Sequence, residues 1–351
     1  MADARWAPAS CLLADGKTAL IVGGYSYPRK RCVASGDVFD EAKGVFIHCR
    51  GRLTYPRDFA QANLLPDGTI LVTGGYNDVL GSLDIAEIYD PKTDQFRLAK
   101  SQMVYGRELF QATTMTDGRV LLTGGLDLWI RHTTETAEIY DQLTGEFGQT
   151  AGNMAEDRFG HAACRLNDGR VLVVGGTSWV IGHASRVLAS AEIYDPKTDR
   201  FTRTRGDLAV GRDRPTVTPL PDGKVLVAGG QGPNGQAIDF SELFDPSTGE
   251  FTKIAASQGV PRMAHGASVL PNGEIVLAGG WSAPSKATTP SAMLFDPAMQ
   301  TFAPLTDLPF AVLDDAQITF PDGETLVAGG KSAKGNTSTS LDTGALLLIP
   351  H

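Results

Sequence analysis

Three residues of this chain invite a chemical reading: His161, His265 and Asp315. Each stands three positions after a recurring site occupied by Arg158, Arg262 and Val312 respectively. Two imidazoles and a carboxylate at one depth of a fold form a set able to share proton-transfer work or to ligate a metal. The spacing argues against a single metal, since the histidines fall two repeat units apart. They stand as catalytic candidates, and no metal site and no cofactor is expected. A second group is acidic: Asp58, Glu108 and Asp213, the last followed by Arg214, come directly after further members of the arginine series and predict a rim compatible with a cationic group on a ligand. A third group is aromatic, comprising Trp6, Tyr25, Tyr27, Tyr76, Tyr105, Trp129, Phe159, Trp179 and Trp281. Aromatic rings beside polar groups are common at ligand sites and interfaces.

What positions these residues is a repeat. A di-glycine ends at Gly24, Gly75, Gly125, Gly176, Gly230, Gly280 and Gly330, so seven units of roughly fifty residues follow one another. Ahead of each pair stands a turn dipeptide, from Asp15-Gly16 and Asp67-Gly68 to Asn272-Gly273 and Asp322-Gly323. Between apolar runs, Asp-Gly and Asn-Gly mark a tight hairpin, expected as a type I′ turn with positive φ at both central residues. A second signature follows, as in AEIYDPKTDQF from Ala86 to Phe96, with an Asp and a Phe six apart in the first six units. Its Asp, Pro, Thr and Gly supply the turn of another hairpin. Each unit is therefore a four-stranded antiparallel sheet, A-B-C-D, unable to bury both faces alone, and radial stacking of such sheets makes a propeller.

With its di-glycines, its strand-C aromatics and its strand-D Phe, the chain resembles the bacterial kelch-repeat family over essentially its whole length. The resemblance implies an all-β, seven-bladed β-propeller of four-stranded antiparallel blades, and residues 1–351 are expected to be a single domain. The seventh blade, ending in GALLLIPH, is expected to lack its outer strand, and the chain to be cut from a longer one. Phe replaces the Trp usual in strand D of eukaryotic kelch units and buries nearly the same area. In kelch-like units the recurring Arg (Arg5, Arg57, Arg107, Arg158, Arg212, Arg262) serves packing and hydrogen bonding, and a His in the column of His161 and His265 recurs as a packing residue.

Blade topology puts the uniform A–B and C–D turns on one face, and the variable B–C loops and D-to-A connections on the other. Variable loops on a rigid scaffold are where sites are built. The resemblance marks the residues after the Arg series (Asp58, Glu108, Phe159, Asp213 with Arg214, Met263, Asp314) and those after the di-glycines as contacts. The expected function is recognition of a small-molecule, sugar or peptide ligand, or a protein, on this face around the central channel. The alternative is an enzyme of epimerase, lyase, cyclase or rearrangement type, acting on a small or sugar-like substrate through His161, His265 and Asp315. Copper-radical chemistry, known among kelch propellers, is disfavoured because no Tyr-His dipeptide occurs. No GxGxxG, Walker, HExxH or Ser-His-Asp pattern stands out.

With 31 Lys plus Arg against 40 Asp plus Glu, the formal charge of −9 opposes binding to nucleic acid or an anionic membrane. The start MADARWAPAS has no basic-then-apolar leader, so a cytoplasmic location is expected. Cys11 and Cys164 read as small buried hydrophobes, while Cys32 and Cys49 flank one hairpin and are able to pair if the protein is exported.

Overall fold

A computed structural model describes residues 1–128, 131–282, 285–334 and 337–347. The repeat folds as expected: six four-stranded antiparallel sheets are followed by one of three strands. In the second blade, strand A is Gln61–Leu64, B is Ile70–Thr73, C is Ala86–Asp90 and D is Gln95–Leu98. In the seventh, the described strands are Ala316–Thr319, Thr325–Ala328 and Gly344–Leu347. Strand B is wholly buried in the second to seventh blades, as in Ile70–Thr73, because sheets cover both its faces. Strand D carries the solvent edge. There each Phe turns back onto the strand-C aromatic, with ring centroids 4.8 Å apart in Tyr89–Phe96 and Phe244–Phe251.

The hairpins are where the sequence puts them, but the turn type differs. Gly68 has a φ of +85°, yet Asp67 is not left-handed, so the turn is not type I′. Instead the Gly68 N–H closes a turn on the Leu65 carbonyl, and the Asp67 carboxylate caps the Thr69 N–H at 2.9 Å. The Asp is needed for its acceptor, the Gly for its φ. Most B–C segments, expected as plain loops, form short hairpins such as Tyr76–Asn77 with Gly81–Ser82, and that of the fifth unit closes on a single bridge of Gln231 with Ala237. Those of the sixth and seventh units join into a further four-stranded sheet, Trp281–Ser282, Ala287–Thr288, Lys331–Lys334 and Thr337–Ser340. All four cysteines are free thiols, so Cys32 and Cys49 are not paired. The Cys32 backbone N–H is held by the Asp78 carboxylate, while the Cys49 thiol lies against the Tyr89 hydroxyl. No helix among the described residues is long and apolar enough to cross a membrane.

The arginine series explains how sheets are joined. Arg57 is fully buried; its guanidinium donates to the carbonyls of Gly74 and Ile85 and pairs with Glu87 at 2.8 Å, all in its own blade. Its backbone carbonyl, however, accepts the N–H of Gly24 from the preceding blade at 2.7 Å. The same link runs from Gly75 to Arg107, Gly125 to Arg158, Gly176 to Arg212, Gly230 to Arg262 and Gly280 to Val312. Gly330 to Arg5, at 2.8 Å, closes the ring. A Cβ on Gly74 would stand 2.6 Å from the Arg107 carbonyl oxygen, so the first glycine of the pair is required by close approach.

The carboxylate partner is Asp37, Glu87, Glu138, Glu192 or Glu242 in the first five blades. In the sixth, Met293 takes that place and Arg262 turns to Ser291 instead. In the seventh both charges are gone, the equivalent positions being Val312 and Ala345. Removing one member of a buried ion pair strands the other, whereas removing both can be close to neutral. Arg107→Val is therefore expected to cost about 3–5 kcal/mol. The double variant Arg107→Val/Glu138→Ala, which reproduces the seventh blade, should recover much of that loss in urea denaturation.

Candidate functional site at the channel mouth

Two residues beyond each arginine, and beyond Val312 in the seventh unit, the backbone turns left-handed. Ala7, Phe59, Leu109, Gly160, Arg214, Ala264 and Asp314 all have φ between +48° and +61°, one per blade. Their main chains form a collar: Ala7 N–H donates to Asp314 O, Phe59 to Ala7, Gly160 to Leu109, Arg214 to Gly160 and Asp314 to Ala264. Only Gly160 of the seven is indifferent to this conformation, which costs other residues roughly 1–2 kcal/mol each. Such strain persists only where the surroundings impose it, and it gathers at functional sites. Six of the seven (all but Ala264) line the mouth of the axial cavity, about 190 Å³ in volume.

Outside the collar lies a second ring, one residue after each arginine or Val312: Trp6, Asp58, Glu108, Phe159, Asp213, Met263 and Leu313. Each forms an isolated antiparallel bridge with the residue after a di-glycine, in order Tyr25, Tyr76, Leu126, Thr177, Gln231, Trp281 and Lys331. This corrects one alignment: Asp314 belongs with Arg214 in the collar, and Leu313 takes the seventh place beside Asp58 and Glu108. Phe59, a collar residue packed on Trp6 at 4.9 Å, is not among the expected site residues, although Arg214 at the equivalent position is. Its signal was available as the position two after each Arg, but only the left-handed φ gives that position meaning.

Across the mouth Arg214 reaches Asp314 at 3.3 Å and lies over the Phe59 ring, and Asp314 also accepts the Trp6 indole N–H at 2.9 Å. Trp6 meets Tyr25 edge to face and Tyr27 at a tilt, while the Lys331 ammonium sits 4.9 Å from the Trp6 ring centre. Trp179 and Phe159 line a neighbouring groove with Leu126, Thr177 and Asp213, about 500 Å³ in volume. Asp213 there accepts the Thr177 hydroxyl. Trp281 is half-buried in its bridge with Met263. Trp129 lies outside the described residues.

The histidine column divides. His161 and Asp315 border the axial cavity together with Gln61 and Gln111; among the described residues His265 does not. Both imidazoles are buried, each with its Nε2 on a threonine hydroxyl, Thr123 for His161 and Thr216 for His265. The His161 ring stands against Gly124 and the His265 ring against Gly229, each a glycine of the preceding blade. Burial, with Arg158 and Arg107 near one and Arg262 and Arg212 near the other, pushes both pKa values down, that of His265 to about 3. These are neutral packing imidazoles. Asp315 differs, for both its carboxylate oxygens are buried without a hydrogen bond, and burial raises its pKa to about 7.

Burial first, then Glu108, Asp78 and Asp314, raises the Asp58 pKa to about 8. Glu108 is raised to about 7, again by burial, with Arg214 opposing. A carboxyl raised on folding keeps a proton that the unfolded chain releases, so stability is present at low pH and falls as pH rises from about 4 towards about 8. Asp58→Asn should flatten that fall, leaving a smaller melting-temperature difference between about pH 5 and pH 9 than the wild type shows.

Residues 65–103 and 158–205, in the second and fourth units, match the family described as Kelch motif. No curated protein matches the chain. Kelch repeats on blade-like sheets support a ligand- or protein-binding propeller in general terms.

Proposed function

We propose that this kelch-repeat propeller is a binding module whose ligand sits on the loop-rich face, over the channel mouth and the adjoining groove. One observation carries the reading. The scaffold repeats its turns, glycines and clasp from blade to blade, yet the collar and the ring outside it differ in almost every unit, with Phe59, Arg214 and Asp314 in one and Trp6, Asp58, Glu108, Phe159 and Asp213 in the other. A strained collar built to hold unlike side chains around one opening is a recognition surface rather than a packing layer. In this reading residues 1–351 act as one domain.

The enzymatic alternative rests on Asp315, whose unpartnered carboxylate borders the axial cavity beside His161. It calls for incorporation of solvent deuterium into a sugar-like substrate by the wild type and not by Asp315→Asn.

The binding reading is tested with compounds found by thermal shift. Trp179→Ala and Arg214→Ala should each weaken them by roughly 1–3 kcal/mol, the scale of an interface anchor, while Trp179→Ala leaves the melting temperature nearly unchanged. Leu143→Ala, on a fully exposed C–D turn of the opposite face, should have no effect. Affinity that follows Leu143 and ignores Trp179 and Arg214 would place the site on the wrong face.

A further inference from the structure

The charges of the mouth are unevenly shared. Two cations of the mouth are engaged on one side: Arg214 with Asp314 and the Phe59 ring, and Lys331 on the faces of Trp6 and Tyr27. In the second and third blades the sector between Asp58 and Glu108 has acids and an aromatic ring. Asp58 is 4 % exposed, and its Oδ1 is buried with no hydrogen bond. The charges that raise the Asp58 pKa beyond the effect of burial are Glu108, Asp78 and Asp314. The nearby Arg57 and Arg107 turn inward to Glu87 and Glu138. Tyr76 is bridged through its backbone to Asp58, and its phenol senses both Asp58 and Glu108.

Two more observations bear on what this sector receives. Lys331 shows that the mouth already holds an ammonium against aromatic faces, a contact worth about 0.5–2 kcal/mol. Beside the acidic sector, the hairpins of the second and third blades carry exposed apolar side chains, Val79 at 84 %, Leu80 at 38 % and Leu128 at 37 %. The two hairpins are tied by the Leu128 N–H on the Ser82 hydroxyl, so these side chains form one border.

We propose that the mouth binds a small organic ammonium ion carrying an apolar group, its charge between Asp58 and Glu108 at the Tyr76 ring and its apolar part on Val79, Leu80 and Leu128. This names the ligand class for the loop-face reading and rests on it. The cation gives the buried Asp58 oxygen the partner it lacks. It also draws protons from Asp58 and Glu108, with Asp78, Asp314 and Asp127 opposing their ionisation and Arg214 favouring that of Glu108. An aliphatic ammonium stays charged over that range, so its affinity rises with pH.

The test is calorimetric titration of the whole chain with 2-phenylethylammonium chloride, against 2-phenylethanol and 3-phenylpropanoate of similar shape. The ammonium should saturate the protein, with the alcohol at least about tenfold weaker and the carboxylate silent. Glu108→Gln and Asp58→Asn should each lose about tenfold or more for the ammonium, with Leu143→Ala unchanged. Wild-type affinity should climb from about pH 6 to about pH 8.5, and the double variant should stay flat. Equal binding of the alcohol, no saturation by the ammonium up to about 10 mM, or insensitivity to both acid variants overturns the proposal. Binding of the carboxylate that is lost in Arg214→Ala would overturn it too, while leaving the loop-face reading standing.

Discussion

A buried arginine at six of its seven joints holds this ring together. The side chain of Arg57 ties strands B and C of its own sheet through the Gly74 and Ile85 carbonyls and Glu87, while its carbonyl accepts the Gly24 N–H of the sheet before. A single buried residue thereby satisfies polar backbone groups of two sheets that would otherwise be stranded at the joint. The requirement is demanding, because a guanidinium leaves water only where several acceptors converge on it. Burial pulls each of these arginines below its ordinary pKa, and in the first five blades a carboxylate opposes that pull.

The clasp also decides where variation is allowed. Its carbonyl link fixes the backbone just before the collar, and the di-glycine fixes the neighbouring strand end. The collar must then go left-handed in every blade, whatever side chain it bears. Main-chain bonds from one collar residue to the next hold that conformation, so identity at Phe59, Arg214 or Asp314 is free of the fold. Conserved backbone and unconstrained side chains are the conditions under which a symmetric scaffold acquires an asymmetric mouth.

Much of this was legible in the residues. Asp-Gly dipeptides and the Asp-to-Phe spacing located both hairpins because turn chemistry is local, and the period counted the sheets. The type of the first turn was not legible: Asp67 contributes a side-chain acceptor rather than a positive φ, and either use is compatible with the same dipeptide. Among the site candidates, Asp58, Glu108, Phe159 and Asp213 fall in one ring as the spacing implied. Of the histidine column only His161 borders the axial cavity with Asp315 among the described residues, and His265 does not, each imidazole being wedged against a neighbouring blade's glycine. Placement by column gives depth along the axis but not the direction of a side chain, and direction separated Asp314 from Leu313 and hid Phe59.

Closure of the ring by Gly330 on Arg5 has a kinetic side. Joints between consecutive sheets connect residues 32 to 36 apart, as Gly75 to Arg107 and Gly176 to Arg212, whereas this one spans almost the entire chain. Loop entropy makes it about 2 kcal/mol dearer to form than the others, growing as it does with the logarithm of length. Until that joint is made, the Ala19, Ile21 and Phe39 side of the first sheet lacks Ile318, Phe320 and Leu326, against which it packs in the finished ring. During folding the first sheet therefore waits, half-covered, for the last. Contacts of such long range slow folding and prolong the exposure of apolar strands to other molecules. The seam is where this propeller is most open to exchanging a sheet with a neighbour before it becomes a ring.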